Sequence, residues 1–477
     1  MFAHNFKYEF KTLLRSKWLI LLFITTFMVV FFAGYNGQKK VNKRAADIAK
    51  ITRNVADKDQ KMLQVLDSLE KGIEMNLSSW RSPQRPMTIG YSHPRVASMP
   101  PKPLSFISQG QSDLFSHYVQ PRAYGDSFLF NYSELSNPVQ LLFGSFDLAF
   151  VIIYIIPLII IAFSFNIFSA EKEYGSLKLI ASQPISIIKW TFQKIGIRYL
   201  CLVSITLLIL IITFIINGFD FSKNGSGFIS MFLLILAYIT FWFSIVFLVN
   251  IIVNNSAKNA VSLLAIWVVI ILIVPATISQ FGNSLYPVPS RTKLITEVRE
   301  FKEEISKKQD KILDNFLRDH PEYADNGKGT NYSFWHKYLA SQDIIEDELA
   351  PLLKTYEAQL KEKQNWVQKW QYFSPAIMIQ QGFNSIAGTS TSDYQSYRQQ
   401  VSDYTKKWRN YFVPMLYKNE KFSTKKYDDL PLFNFKNPES ASASKALIPL
   451  FIFSSLIILI GIAVFKKKLK MGTIINL

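Results

Sequence analysis

The sequence predicts an α-helical integral membrane protein. Six transmembrane helices carry two large extracytoplasmic insertions, the first mixed helix and extended chain, the second mostly helical. Three observations point there. Six blocks free of charged side chains recur along the chain, at Trp18–Tyr35, Leu148–Phe168, Tyr199–Ile216, Phe228–Val249, Ala260–Ile278 and Ala446–Phe465. Each has about 20 residues, enough to cross ~30 Å of hydrocarbon as a helix, and each is apolar on all faces rather than along one stripe. The 477 residues are 49% hydrophobic, yet mean hydropathy is only +0.13, because strongly polar segments alternate with these blocks. Finally, Lys and Arg gather at one set of block ends.

Taken in order, the first block reads as a permanent span. It leaves the membrane at Gly34-Tyr35-Asn36 with no small-residue cleavage pattern directly after it. Residues 1–35 therefore comprise a cytoplasmic N-terminus and the first span, and 36–147 a first extracytoplasmic domain. That domain opens with Ile48, Ile51, Val55, Met62, Leu66, Leu69 and Ile73, mostly three or four apart, which predicts an amphipathic helix continuing outward from the span. Seven prolines between Pro83 and Pro121 then forbid long helix, so Asn76–Tyr132 should be extended segments and turns with room for short strands.

Residues 148–279 hold spans two to five. Cys201, the single cysteine, lies inside the third, so no disulfide joins the outer domains and no cysteine-based metal site exists. Residues 280–445 form the second extracytoplasmic domain, with helices expected at Arg291–Asp319, Phe334–Trp370, after Pro375, and at Tyr394–Phe412. Its Trp335, Trp366, Trp370 and Trp408 recur among Leu and Ile and read as core. Asp325-Asn326-Gly327 marks a turn and Asn437–Ser444 a polar hinge. Residues 446–477 are the sixth span and a basic cytoplasmic tail.

Orientation follows from the basic residues, which are retained on the cytoplasmic side. Lys7, Lys11, Arg15 and Lys17 precede the first span. Lys172, Lys178, Lys189, Lys194 and Arg198 lie between spans two and three, Lys258 between four and five, and Lys466, Lys467, Lys468 and Lys470 after six; only Glu9, Glu171 and Glu173 oppose them. The large polar segments are nearly balanced, so the net charge of +18 is chiefly a topology signal, N-in and C-in, and not a sign of nucleic-acid binding.

The loop 169–190 is the most informative stretch. Glu171 and Glu173 sit where a short helix would start, where carboxylates complement the helix dipole. Leu177, Leu179, Ile180, Ile185 and Ile188 supply an apolar face, Lys178 and Lys189 a polar one, and Pro184 breaks the run. Two readings stay open on these residues: a helix resting in lipid headgroups, or one docked into a partner protein. The chain has no phosphate-binding loop, since Gly327-Lys328-Gly329-Thr330 lacks the upstream glycine, so an ATP-driven engine would be a separate chain. His4, His93, His117, His320 and His336 are scattered, with no H-E-x-x-H and no i, i+4 pair, so no metal site is expected. No nucleophile–base arrangement stands out. The absence of ionisable groups inside the blocks argues against ion-coupled transport.

Asn137–Ser186, with its Glu171-Lys172-Glu173-Tyr174-Gly175-Ser176-Leu177 run and Gln183-Pro184 turn, resembles the ABC-2-type permeases, the membrane subunits of ATP-binding-cassette transporters. The layout and Ser374–Phe412 resemble the branch of permease components related to multicopper-enzyme maturation, with large extracytoplasmic domains; the Pro-rich first domain matches poorly. That resemblance alone suggests copper bound on the outer side by His93, His117, Met87 and Met99, against the reading that these are isolated surface residues. The resemblance implies a bacterial inner-membrane permease acting with a second copy or a paralogue. It implies a dimer of cytoplasmic ATPases gripping a coupling helix, with Glu171, Lys172, Glu173, Tyr174, Gly175, Ser176, Leu177, Gln183 and Pro184 as contact residues. ATP and Mg would be held by those partners, with no cofactor and no enzymatic activity on this chain. Export or extraction of a peptide, lipid or other hydrophobic cargo is one expectation. A mechanotransmission module driving an extracytoplasmic partner protein, without moving cargo, is the other.

Overall fold

The computed structural model describes residues 2–15, 17–78, 81–110, 112, 115–124, 145–183, 186–287, 291–323, 334–438 and 444–471. Pro184, the turn at 325–327, the 327–330 stretch and most of the 437–444 hinge lie outside the described residues, as do parts of 76–132.

Six helices are long and apolar enough to cross a membrane: Trp18–Glu70, Leu148–Glu173, Ile187–Ile216, Phe221–Ile252, Ser256–Leu285 and Lys445–Lys470. Each contains one of the charge-free blocks, and the chain is a multi-pass α-helical membrane protein. The fourth span is the hub. It is 72% buried over its most apolar window, against 11% for the fifth and 17% for the sixth, and the sixth packs along its length. Among the described residues the only strands are Ala97–Ser98 and Tyr118–Val119, an antiparallel pair with Ala97 opposite Val119.

The second and fifth spans share an irregularity. Each contains a π-helical stretch, Val151–Ile155 and Val268–Ile273, shortly before a proline, Pro157 and Pro275. Proline brings no N–H and its ring crowds the carbonyl four residues earlier; widening the turn relieves that crowding. For Pro157 that carbonyl belongs to Ile153, and it accepts instead from the hydroxyl of Tyr238 on the fourth span at 2.9 Å. Both groups are buried where water cannot substitute, so the tyrosine repairs what the proline removes.

The first span does not stop at the membrane. Its helix runs unbroken to Glu70, as the apolar period predicts, and buries Met62 and Leu66 at its far end. Midway, Gly37 passes against the chain at Phe106, where a Cβ would lie 2.1 Å from the carbonyl oxygen, so only glycine admits the crossing.

Met62 and Leu66 enter a core that the two polar segments build jointly. Met87 and Ile89 come from the helix Pro86–Ser92, and Tyr397, Val401, Trp408 and Phe412 from the helix Thr391–Tyr417. The latter starts at a capping box, in which Ser390 and Asp393 satisfy each other's backbone N–H groups, and it buries Tyr394, Tyr397, Val401, Tyr404, Trp408, Phe412 and Met415 on one stripe. Its polar aromatic atoms find backbone partners: Trp408 donates to Gly90 O at 3.0 Å, Tyr397 to Ala97 O at 3.0 Å and Tyr404 to Pro431 O at 2.8 Å. A smaller cluster joins Val298, Ile305, Ile312 and Leu313 to Ala340, Ile345 and Leu349, from helices Arg291–Lys307, Gln309–Asp319 and Phe334–Trp370.

Candidate functional site at the basic end of the spans

The end of the bundle away from this core collects the helix Phe2–Arg15, the hairpin after the second span, the turn between spans four and five, and the end of the sixth span. Lys468 closes the group: its Nζ donates to the carbonyls of Ile251 and Ile252 at 3.0 and 2.8 Å, at the negative pole of the fourth span.

Within the hairpin, the stretch expected to form one short helix is two, Ser169–Glu173 and Ser176–Ala181. Gly175 divides them. Its φ is 73°, a left-handed conformation that costs a side-chain-bearing residue about 1 kcal/mol and glycine little. No atom lies within 4 Å of where its Cβ would be, so within this chain the glycine is required by the turn and not by crowding. Leu177 is buried and anchors the second helix on the bundle core. Tyr174 and Leu179 point outward, 86% and 71% exposed, so the apolar face is split between an anchor and a solvent-facing tip. Gln183 is exposed, with its backbone N–H on Ile180 O at 3.2 Å.

The charged residues of the hairpin turn back onto their own chain. Glu173 accepts from the backbone N–H of Ser256 at 2.7 Å and from its hydroxyl at 2.8 Å, which caps the fifth span with a carboxylate. Lys172 Nζ donates to Asn254 Oδ1 at 2.6 Å. Glu171 accepts from Ser176 Oγ and from Lys194 Nζ. Lys194 also faces Glu9 at 3.8 Å, and Glu9 accepts from both Nε and Nη2 of Arg198 at 3.4 Å. Arg198 in turn donates to the carbonyl of Phe163 on the second span. Two acids and two bases, all largely shielded from solvent, thus tie the amphipathic helix Phe2–Arg15, the hairpin and the third span together. They border a cavity of about 590 Å³ that is also lined by Trp18, Tyr174 and Trp190.

Behind the network, Asn259 Nδ2 donates to Phe165 O at 3.1 Å and to Asn250 Oδ1 at 3.3 Å, and Asn250 Nδ2 to Ser164 O at 3.3 Å. Spans two, four and five are pinned there.

The structure therefore brings the sequence-derived residues 171–177 into one hairpin, while Pro184 lies outside the described residues. Sequence reasoning assigned Glu9, Lys194 and Arg198 only to topology. The available signal was their spacing: Lys194 and Arg198 are four apart, hence on one helix face, and Glu9 is the only carboxylate before the first span. The copper-suited residues do not converge. Met87 and Met99 are buried in the polar core, His93 pairs with Asp59, and His117 Nε2 lies 2.8 Å from Ser112 O. Among the described residues no three His, Cys, Asp or Glu side chains gather as a metal site would require.

What this site offers is mechanical and adhesive: a solvent-facing apolar tip on a stem that continues from the second span and is clamped by ion pairs and hydrogen bonds to the third span, the start of the fifth and the turn before it. Residues 291–436 match a family described as a domain of unknown function, DUF3526. No curated protein matches the chain.

Proposed function

We propose that the chain is the membrane subunit of an ATP-driven assembly of the ABC-2 permease kind, with hydrolysis on a separate cytoplasmic ATPase and the chain itself carrying no catalytic site. The observation that supports this best is the hairpin. Tyr174 and Leu179 are exposed while Leu177 and the carboxylates of Glu171 and Glu173 fix their stem to the spans. A force on the tip reaches the second, third and fifth spans directly. In this reading the basic end faces the cytoplasm, N-in and C-in, in the inner membrane of a bacterium. The segments 36–147 and 280–445 are extracytoplasmic, a second copy or paralogue completes the membrane half, and lipid surrounds it. The cargo is a peptide, lipid or other hydrophobic molecule.

A second reading, transmission of motion to an extracytoplasmic partner without cargo, has its own support. The first span and the wall of the polar core that carries Met62 and Leu66 belong to one unbroken helix of 53 residues, about 80 Å long. Such a helix carries displacement across the whole molecule.

The test is the hydrolysis of Mg-ATP by complexes purified from native membranes through this subunit. Wild-type preparations are expected to hydrolyse ATP and the Tyr174→Ala/Leu179→Ala variant to lose the activity with its ATPase, at unchanged subunit yield. Wild-type preparations devoid of ATPase, or a variant that retains it fully, would sink the proposal.

A further inference from the structure

We propose that a cavity on the polar core, remote from the hairpin, binds a small oxyanion: a carboxylate or phosphate group. The cavity measures about 240 Å³, and Lys58, Asp59, Tyr91, His93, Gln120 and Arg122 are among its lining residues. Its electrostatics are set by which charges are already matched. Asp59 is 1% exposed and its carboxylate accepts from His93 Nδ1 at 3.0 Å, Arg95 Nη1 at 3.3 Å and the Tyr427 hydroxyl at 2.9 Å. Three donors on two oxygens offset that negative charge from within the fold.

The cations at the rim carry no such match among the described residues. Among the described residues neither Lys58 nor Arg122 has a carboxylate partner. Arg122 instead lies over the ring of Tyr91, 4.4 Å from its centroid, and Tyr91 is itself stacked on Tyr124 at 4.2 Å. Contact with the ring limits the rotamers open to a long side chain, so less conformational entropy is lost when the guanidinium meets two ligand oxygens. On the floor, Asp59 accepts at His93 Nδ1, so that nitrogen carries the hydrogen. His93 Nε2 has no partner among the described residues, and on protonation it becomes a further donor. Gln120 adds a neutral amide. The set is a lysine point charge, an arginine fork held against a ring, an imidazole and an amide around a small concavity, with the one carboxylate among its described lining residues already satisfied. That is the composition of an oxyanion site and the reverse of a cation site.

The proposal is independent of the ATPase assignment. Its test is calorimetric titration of the full-length protein in detergent micelles with inorganic phosphate and, separately, with glutarate. Saturable binding of at least one is expected. Lys58→Gln/Arg122→Gln should weaken it tenfold or more, His93→Gln should weaken it several-fold, and Lys421→Gln/Lys425→Gln, which removes equal charge elsewhere, should leave it unchanged. Preference for phosphate identifies a phosphorylated ligand and preference for glutarate a carboxylate. Lys58 and Arg122 are exposed, so the variants should melt with the wild type. No saturable binding of either probe by the wild type overturns the inference, as does undiminished affinity in the rim variant or equal loss in the charge control.

Discussion

Replacing Tyr238 with Phe isolates a single hydrogen bond inside the membrane. The substitution keeps the ring, which is fully buried in the fourth span, and removes only the hydroxyl that donates to Ile153 O. Hydrogen bonds between membrane helices are worth on average ~0.6 kcal/mol and at most ~1.7 kcal/mol, because a bared group usually finds another donor. Here the donor that a regular helix would supply is absent, since position 157 is proline. The cost should therefore fall near the upper limit, about 1.5 kcal/mol, roughly a tenfold change in the unfolding equilibrium. The decisive experiment adds Pro157→Ala, which returns an N–H four residues after Ile153. In that background Tyr238→Phe should cost less than ~0.5 kcal/mol, a coupling of about 1 kcal/mol between the two sites. Both costs are measurable by reversible unfolding in mixed micelles of rising dodecyl sulfate content, followed by tryptophan fluorescence. Equal costs in the two backgrounds would show that the carbonyl does not depend on the tyrosine, and the repair argument would fail.

Lys194→Met leaves Glu171 and Glu9 facing each other's neighbourhood with one cation fewer; a loss of about 3 kcal/mol is expected, with part of it recovered in Glu171→Gln/Lys194→Met, measured by the same unfolding assay. Alkaline pH should loosen the polar core. Burial, reinforced by neighbouring Tyr91, raises Tyr124 from its ordinary 10.0 to about 12, and burial raises Tyr397 and Tyr404 further. A raised folded value favours the protonated native state, so this stabilisation is complete below pH 10 and declines as the pH climbs through about 12. Spectrophotometric titration should show these tyrosines ionising after the exposed ones and together with unfolding; ionisation of all tyrosines near pH 10 in a protein that stays folded would contradict the burial.

The elements that were legible in the sequence are those whose signal is local. A run without charge must be lipid-facing or buried, so all six spans could be placed, and the helix expected at Phe334–Trp370 spans those residues despite Pro351. The helix around Tyr394–Phe412 proved longer, Thr391–Tyr417, because the Ser390–Asp393 capping box sets its start. Partnership was not legible. An apolar stripe at Tyr397, Val401 and Trp408 says that a face is covered but not that Met62 and Met87, more than 300 positions earlier, cover it. The candidate hairpin showed the same division. Glu171 and Gly175 stood out by pattern, whereas the ion pairs that hold Glu171 draw on Lys194 and Glu9, residues whose charge had already been explained by topology. A charge with one sufficient explanation attracts no second one.

The helix Trp18–Glu70 has a consequence that concerns angle and not distance. Successive residues of a helix are set about 100° apart, and nothing between the lipid-facing block and Met62 interrupts the count. The membrane therefore dictates which way Met62 and Leu66 look. One residue inserted near Lys50 would turn both away from the aromatic core by roughly 100°, whereas seven would return them to within ~20°. The segment between the span and the core tolerates substitution far better than it tolerates a change of length, and relatives of this chain should vary there in heptads.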